Sequence, residues 1–217
     1  MRFSFPKVYP ILDAAEIPQT GRERFLHRLG RELAAAGATL LEYRNKKGSE
    51  AELLADAGIL RAAMPPEKVK LILDDRADLV GRAEFDGAHV DAGDVTPGEA
   101  RRLLGPGKIV GTYGGTETLL PGILNEPADY FSIGPVFATT TKETTKAPIG
   151  VEGVRRVRAQ AGPDAVLVAV GGITLVSAPD VLAAGATVVA VSAAIFRTAD
   201  PPAEFRRWME TLAAAHP

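Results

Sequence analysis

Short runs of β-branched and aliphatic residues alternate along the chain with longer segments whose apolar positions recur every three or four residues. The short runs predict strands at Val8–Leu12, Thr39–Tyr43, Val69–Leu73, Gly87–Val90, Lys108–Thr112, Tyr130–Ile133, Val166–Val170 and Val188–Val191. Between the first two, Phe25, Leu26, Leu29 and Leu33 form a helical stripe within Arg22–Ala36. Ser49 followed by Glu52 reads as a capping box that opens a helix running to about Ala63. Thr96-Pro97 with Glu99 opens another, with proline at the first helical position, and Pro202–Ala214 is a terminal amphipathic helix.

Eight strands, each followed by a helix at about 27 residues per unit, predict an α/β fold of the (β/α)8 TIM-barrel type. A doubly wound open sheet is the alternative. It needs a glycine-rich turn after the first strand, where this chain has Leu12-Asp13-Ala14-Ala15. No linker, low-complexity tract or charge block marks a boundary, so a single domain over residues 1–217 is expected.

Composition narrows the classes further. Hydrophobic residues at 46% and charged residues at 24% suit one large core. The net charge of −2 gives no general attraction to nucleic acid, so any anion site must be built locally. The absence of cysteine excludes disulfides and thiolate metal sites. No apolar run approaches the roughly 18 residues of a membrane span, and Met1 to Pro6 lack the apolar core of a signal peptide. A cytoplasmic protein is expected, and pairing of barrels makes a homodimer the expected assembly.

In such a barrel the residues just past each strand converge on one face. After the sixth strand, Gly134-Pro135-Val136-Phe137-Ala138 leads to Thr139, Thr140, Thr141 and Lys142, three hydroxyls and an ammonium suited to phosphate oxygens. The seventh strand ends in Gly171-Gly172 and the eighth in Val191-Ser192, where close backbone approach and a short helix favour an anion. Past the second strand, Glu42, Arg44 and Lys46 alternate onto one side. Asp74-Asp75 and Asp94 offer carboxylates at neighbouring strand ends, as Mg²⁺ requires; helix capping by Asp75 and an Asx-turn at Asp94 are the other readings. His89 is expected to be packed and hydrogen-bonded within a strand. Two anion regions, one with a metal, read as a site that joins a diphosphate-activated electrophile to a phosphorylated nucleophile.

These residues, in this order, resemble the thiamine phosphate synthase family from Val8 to about Phe196. Its landmarks are a Q-x-R-x-K strand end, an N-D pair, H-x-G-Q-x-D, G-x-S, G-P-x-x-x-T-x-T-K, I-G-G-I and a V-S-A close. The resemblance implies a barrel enzyme that couples a pyrimidine diphosphate to a thiazole phosphate by a dissociative route, releasing pyrophosphate. It implies Mg²⁺ on Asp75 and Asp94, and the thiazole phosphate at Thr139, Thr140, Thr141, Gly171, Gly172, Val191 and Ser192. The pyrimidine diphosphate would meet Arg44, Lys46 and Lys142, the three residues given catalytic roles, together with Glu42, Asp74 and Tyr113.

Departures from the pattern fall on the pyrimidine side. Glu42 stands for the family's Gln, Asp74 for its Asn, Tyr113 for a Ser, and Asp91-Ala92 for Gly-Gln. Two added carboxylates repel a diphosphate unless they are protonated or paired, and Tyr113 adds bulk, so Tyr113→Ser is expected to raise turnover. The competing readings are a non-catalytic phosphate-ligand binder or a barrel with another diphosphate substrate. A thiazole tautomerase fits less well, because Gly111-Thr112-Tyr113-Gly114-Gly115 carries no His past the fifth strand.

Overall fold

The computed structural model describes residues 3–91, 93–139 and 145–214. Eight strands run β1 (Val8–Asp13), β2 (Leu40–Arg44), β3 (Lys70–Asp74), β4 (Gly87–Val90), β5 (Ile109–Gly115), β6 (Tyr130–Ile133), β7 (Leu167–Val170) and β8 (Val188–Val191). They pair in sequence order, all parallel, and β8 returns to β1, so the barrel is closed. The helices are α1 (Arg22–Ala35), α2 (Glu50–Ala63), α3 (Pro97–Leu104), α4 (Gly150–Ala161), α5 (Ala178–Ala183), α6 (Ala193–Phe196) and α7 (Pro201–Ala214).

The local signals act as expected at the helix starts. Ser49 Oγ accepts from the Glu52 amide while the Glu52 carboxylate accepts from the Ser49 amide, and Thr96 with Glu99 repeats the arrangement beneath Pro97. Each box satisfies two amides that the first helical turn leaves without partners.

Alternation divides the strands between two cores. Leu41, Tyr43, Leu71, Leu73, Val189 and Val191 face the helices, while Tyr9, Leu40, Ile72, Tyr130, Val168 and Val188 fill the barrel. Ahead of β1, Phe5 sets its ring edge-on to Tyr130 at 5.5 Å, extending the interior core.

Two details differ from the sequence expectation. β1, β2 and β3 each run one residue further, to Asp13, Arg44 and Asp74, and β5 continues to Gly115. The ladder does not distinguish apolar from charged residues: Asp13 is in register with Arg44, and Asp74 with His89. The connections after β3 and β5 hold only 3₁₀ turns, Ala77–Leu79 and Ile123–Asn125, instead of α-helices. In the second, Pro121, Gly122 and Pro127 interrupt any longer helix. In the first, the short segment 75–86 buries Ala77, Leu79, Val80, Ala83 and Phe85 directly against the barrel.

Candidate active site

The C-terminal ends of the strands surround a cavity of about 1010 Å³. A larger and more open hollow, about 1310 Å³, lies between α1 and α2 on the outer surface. Its lining includes Arg24, His27 and Arg31 and none of the strand-end residues, so the chemistry belongs to the first cavity.

On one side the strand extensions place charge. Arg44 pairs with Asp13 through Nη1, and its Nε lies 3.3 Å from Asp74 Oδ2. Lys46 Nζ lies 3.3 Å from the same oxygen and also pairs with Asp75. Asp74 Oδ2 nevertheless has no geometrically formed hydrogen bond. Its two cations are near without being aimed at it, an arrangement of Coulomb attraction without directional bonding. Asp75 takes a left-handed backbone conformation (φ 65°), and its Oδ1 is buried with no hydrogen-bond partner.

The floor is a chain of buried polar groups. Tyr9 and Tyr130 place their hydroxyls 3.2 Å apart, and His89 Nδ1 is 3.1 Å from the Tyr130 hydroxyl. The Tyr9 hydroxyl also hydrogen-bonds Glu42. Glu42 is only 4% exposed. Burial, then the nearby charge of Asp74, push its carboxyl up to about 8, so at neutral pH it holds its proton. Burial raises the Tyr9 and Tyr130 hydroxyls well above their ordinary range, so both remain donors.

The part of the cavity that follows β7 and β8 is built from backbone. Gly171 and Gly172 turn with φ of 98° and 64°, and the loop leaving β6 docks on them. Val136 N donates to Val170 O and Phe137 N to Gly171 O, each at 2.9 Å. A Cβ at Gly172 would lie 2.3 Å from Ala138 O, so only glycine permits this approach. Ser192 precedes α6, and its buried Oγ has no hydrogen-bond partner.

Of the sequence-predicted residues, Glu42, Arg44, Asp74, Tyr113, Thr139, Gly171, Gly172, Val191 and Ser192 line the cavity. Lys46 and Asp75 join through their ion pairs. Thr140, Thr141 and Lys142 lie outside the described residues. Asp94 is exposed and outside the cavity lining; its Oδ2 accepts from the Asp91 amide at 2.8 Å, an Asx-type turn. His89 is buried in the hydrogen-bonded floor.

Asp91, singled out as a departure on the pyrimidine side, lines the cavity, whereas sequence reasoning missed Asp13, Tyr9, Tyr130, Ser132 and Lys146. The two-residue repeat Tyr9, Ile11, Asp13 carried a signal for the first two, since it places them on the inward face of β1. Lys146 had none: its ammonium sits 3.6 Å above the Tyr113 ring, a contact between segments far apart in the sequence.

Among the described residues, no group of three or more acidic, histidine or cysteine side chains is gathered to hold a metal ion. The orphaned Asp75 Oδ1 has the hard-oxygen chemistry that suits Mg²⁺, an ion that draws on one or two carboxylates together with substrate phosphates.

A closed parallel barrel whose strand tips combine clustered cations with a glycine turn defines a barrel protein that takes phosphorylated small molecules at its C-terminal mouth. The family model for thiamine monophosphate synthase matches residues 8–195, and the chain belongs to that family. It is 42% identical over 188 residues to the thiamine-phosphate synthase of Koribacter versatilis (strain Ellin345), covering 87% of this chain and 88% of that one. Against the thiamine-phosphate synthase of Agrobacterium fabrum (strain C58 / ATCC 33970) the identity is 40% over 173 residues, covering 77% and 79%. The solved thiamine phosphate pyrophosphorylase from Pyrococcus furiosus shares the fold, with a TM-score of 0.77 at 24% identity over 97% of both chains.

Proposed function

We propose that this protein couples 4-amino-5-hydroxymethyl-2-methylpyrimidine diphosphate to a thiazole phosphate, giving thiamine phosphate and pyrophosphate. One observation carries the reading. Arg44, with Lys46 beside it, stands at the end of β2, and the Gly171-Gly172 turn with Ser192 follows β7 and β8 at the same cavity, so two anions have separate places in it. Membership of the synthase family supports the same reaction.

In this reading Arg44, Lys46 and Lys142 hold the diphosphate and take up the negative charge that grows on it as the carbon–oxygen bond breaks. The bonding electron pair leaves with pyrophosphate, and the pyrimidine methylene becomes cationic. Gly171, Gly172, Val191 and Ser192, with Thr139, Thr140 and Thr141, hold the thiazole phosphate and orient its ring nitrogen. The nitrogen lone pair then forms the new carbon–nitrogen bond, and the enclosing strand ends keep water from taking its place. Mg²⁺, with Asp75 as its carboxylate ligand, would supply charge neutralisation on the diphosphate.

The two added carboxylates need not obstruct this. Glu42 keeps its proton at neutral pH, and Asp74 is flanked by Arg44 and Lys46. That removes part of the case for a non-catalytic binder, which rested on Glu42, Asp74 and Tyr113 together. A cytoplasmic homodimer is part of the proposal, by analogy with other closed symmetric assemblies.

The test is to supply both substrates with Mg²⁺ and follow thiamine phosphate and pyrophosphate together. Stoichiometric formation of both supports the reaction. Their absence from a folded sample that still binds the thiazole phosphate overturns it.

A further inference from the structure

Glu42 is set deep in the cavity, between groups that all affect its charge. Tyr9, Arg44, Asp74, Asp91 and Tyr130 act on it directly, and Asp13, His89 and Lys146 line the same cavity. Arg44, whose charge favours the ionised form of Glu42, is divided between Asp13 and Asp74, and Lys46 between Asp74 and Asp75. An ionised Glu42 would therefore be a further negative charge beside Asp74 and Asp91, in a desolvated place whose Arg44 and Lys46 are already shared among other carboxylates.

We propose that Glu42 works as a neutral carboxylic acid that pairs with the amino and ring-nitrogen edge of the pyrimidine substrate. The inference rests on the coupling reaction proposed above and specifies how its pyrimidine is recognised. A 4-aminopyrimidine presents an acceptor nitrogen beside an amino donor. A neutral carboxylic acid presents the complement, an O–H donor beside a carbonyl acceptor.

The floor leaves that complement available. In one consistent direction His89 donates to Tyr130, Tyr130 to Tyr9, and Tyr9 to the Glu42 carbonyl. The acid O–H then remains to donate to the ring nitrogen, and the second carbonyl lone pair accepts from the amino group. A buried glutamine offers the same two functions, so a glutamic acid replaces it here only while protonated. The burial and acidic neighbours that raise its pKa to about 8 keep it so at neutral pH.

The test is calorimetric titration of the pyrimidine diphosphate with Mg²⁺ from pH 6.5 to 9.5, on the wild type and on Glu42→Gln. Subtracting the variant's profile cancels ionisation of the substrate and of every other group common to both. The wild type should lose affinity about tenfold per pH unit above pH 8 relative to the variant. An infrared difference spectrum between the two proteins should show the C=O stretch of a protonated carboxyl at pH 7, whether or not ligand is present. Parallel binding profiles with no such band overturn the inference while leaving the coupling reaction standing. If neither protein binds the pyrimidine diphosphate at any pH, while both bind the thiazole phosphate, the inference and the coupling reaction both fail.

Discussion

Arg44 and Asp74, on the neighbouring strands β2 and β3, stand 3.3 Å apart from Nε to Oδ2, without a formed hydrogen bond. Asp74 thus lies beside two cations, Arg44 and Lys46, while holding neither tightly. In the proposed reaction its carboxylate competes with the diphosphate for the same charge.

Replacing that competitor should strengthen binding. Asp74→Asn, which restores the family's residue, is expected to tighten the pyrimidine diphosphate about fivefold, roughly 1 kcal/mol. Calorimetry at fixed Mg²⁺ checks it. An unchanged or weaker Kd would mean that Asp74 positions Arg44 more than it competes with the ligand.

Glu42 makes stability depend on pH in a definite sense. Its folded pKa of about 8 lies above the ordinary 4.5, so between those values the unfolded chain has lost a proton that the folded one keeps. Stability therefore falls as pH rises through this window. Glu42→Gln removes the effect. Its unfolding free energy should match the wild type near pH 4.5 and exceed it increasingly up to pH 8, by on the order of a few kcal/mol, with Tm rising in step. Differential scanning calorimetry at several pH values reads the gap, and a constant difference would contradict the assignment.

Asp75→Ala and Lys142→Ala should each lower pyrophosphate release at least about 100-fold, with the circular dichroism spectrum preserved. Chelation of Mg²⁺ should have a similar effect on the wild type and be reversed by adding the ion back. Near-normal turnover in either variant would remove that residue from the site.

Gly172→Ala forces a Cβ to within 2.3 Å of Ala138 O at a residue with φ 64°. The loop after β6 must move off the turn, at a cost of about 1–3 kcal/mol. Affinity for the thiazole phosphate should fall more than affinity for the pyrimidine diphosphate. Separate titrations of the two ligands distinguish this from general unfolding.

Bulk alone suggested that Tyr113→Ser would accelerate the enzyme. The contact of Lys146 with the Tyr113 ring points the other way. Serine removes the seat of a cation at the cavity mouth, so KM for the phosphorylated substrates should rise about two- to fivefold. Tyr113→Phe keeps the ring and should stay near wild type. A serine variant with higher kcat/KM would restore the steric account.

The order of strands and helices, the capping boxes at Ser49 and Thr96, and the positions of Arg44, Gly172 and Ser192 could all be read in the sequence. Those features rest on local periodicity and on turn or cap chemistry, which neighbouring residues settle among themselves. The 3₁₀ turns after β3 and β5 were less legible, because the helical expectation there came from the repeat and not from an apolar stripe.

What the chain could not disclose alone was which charges meet and in which protonation state. That Asp13 reaches Arg44, that Asp74 lies between two cations, and that Glu42 is enclosed with Tyr9 depend on closure of β1, β2 and β3 into one wall. Sequence places a carboxyl group on a strand; only its tertiary surroundings set the desolvation and the neighbouring charge that decide whether it carries a proton.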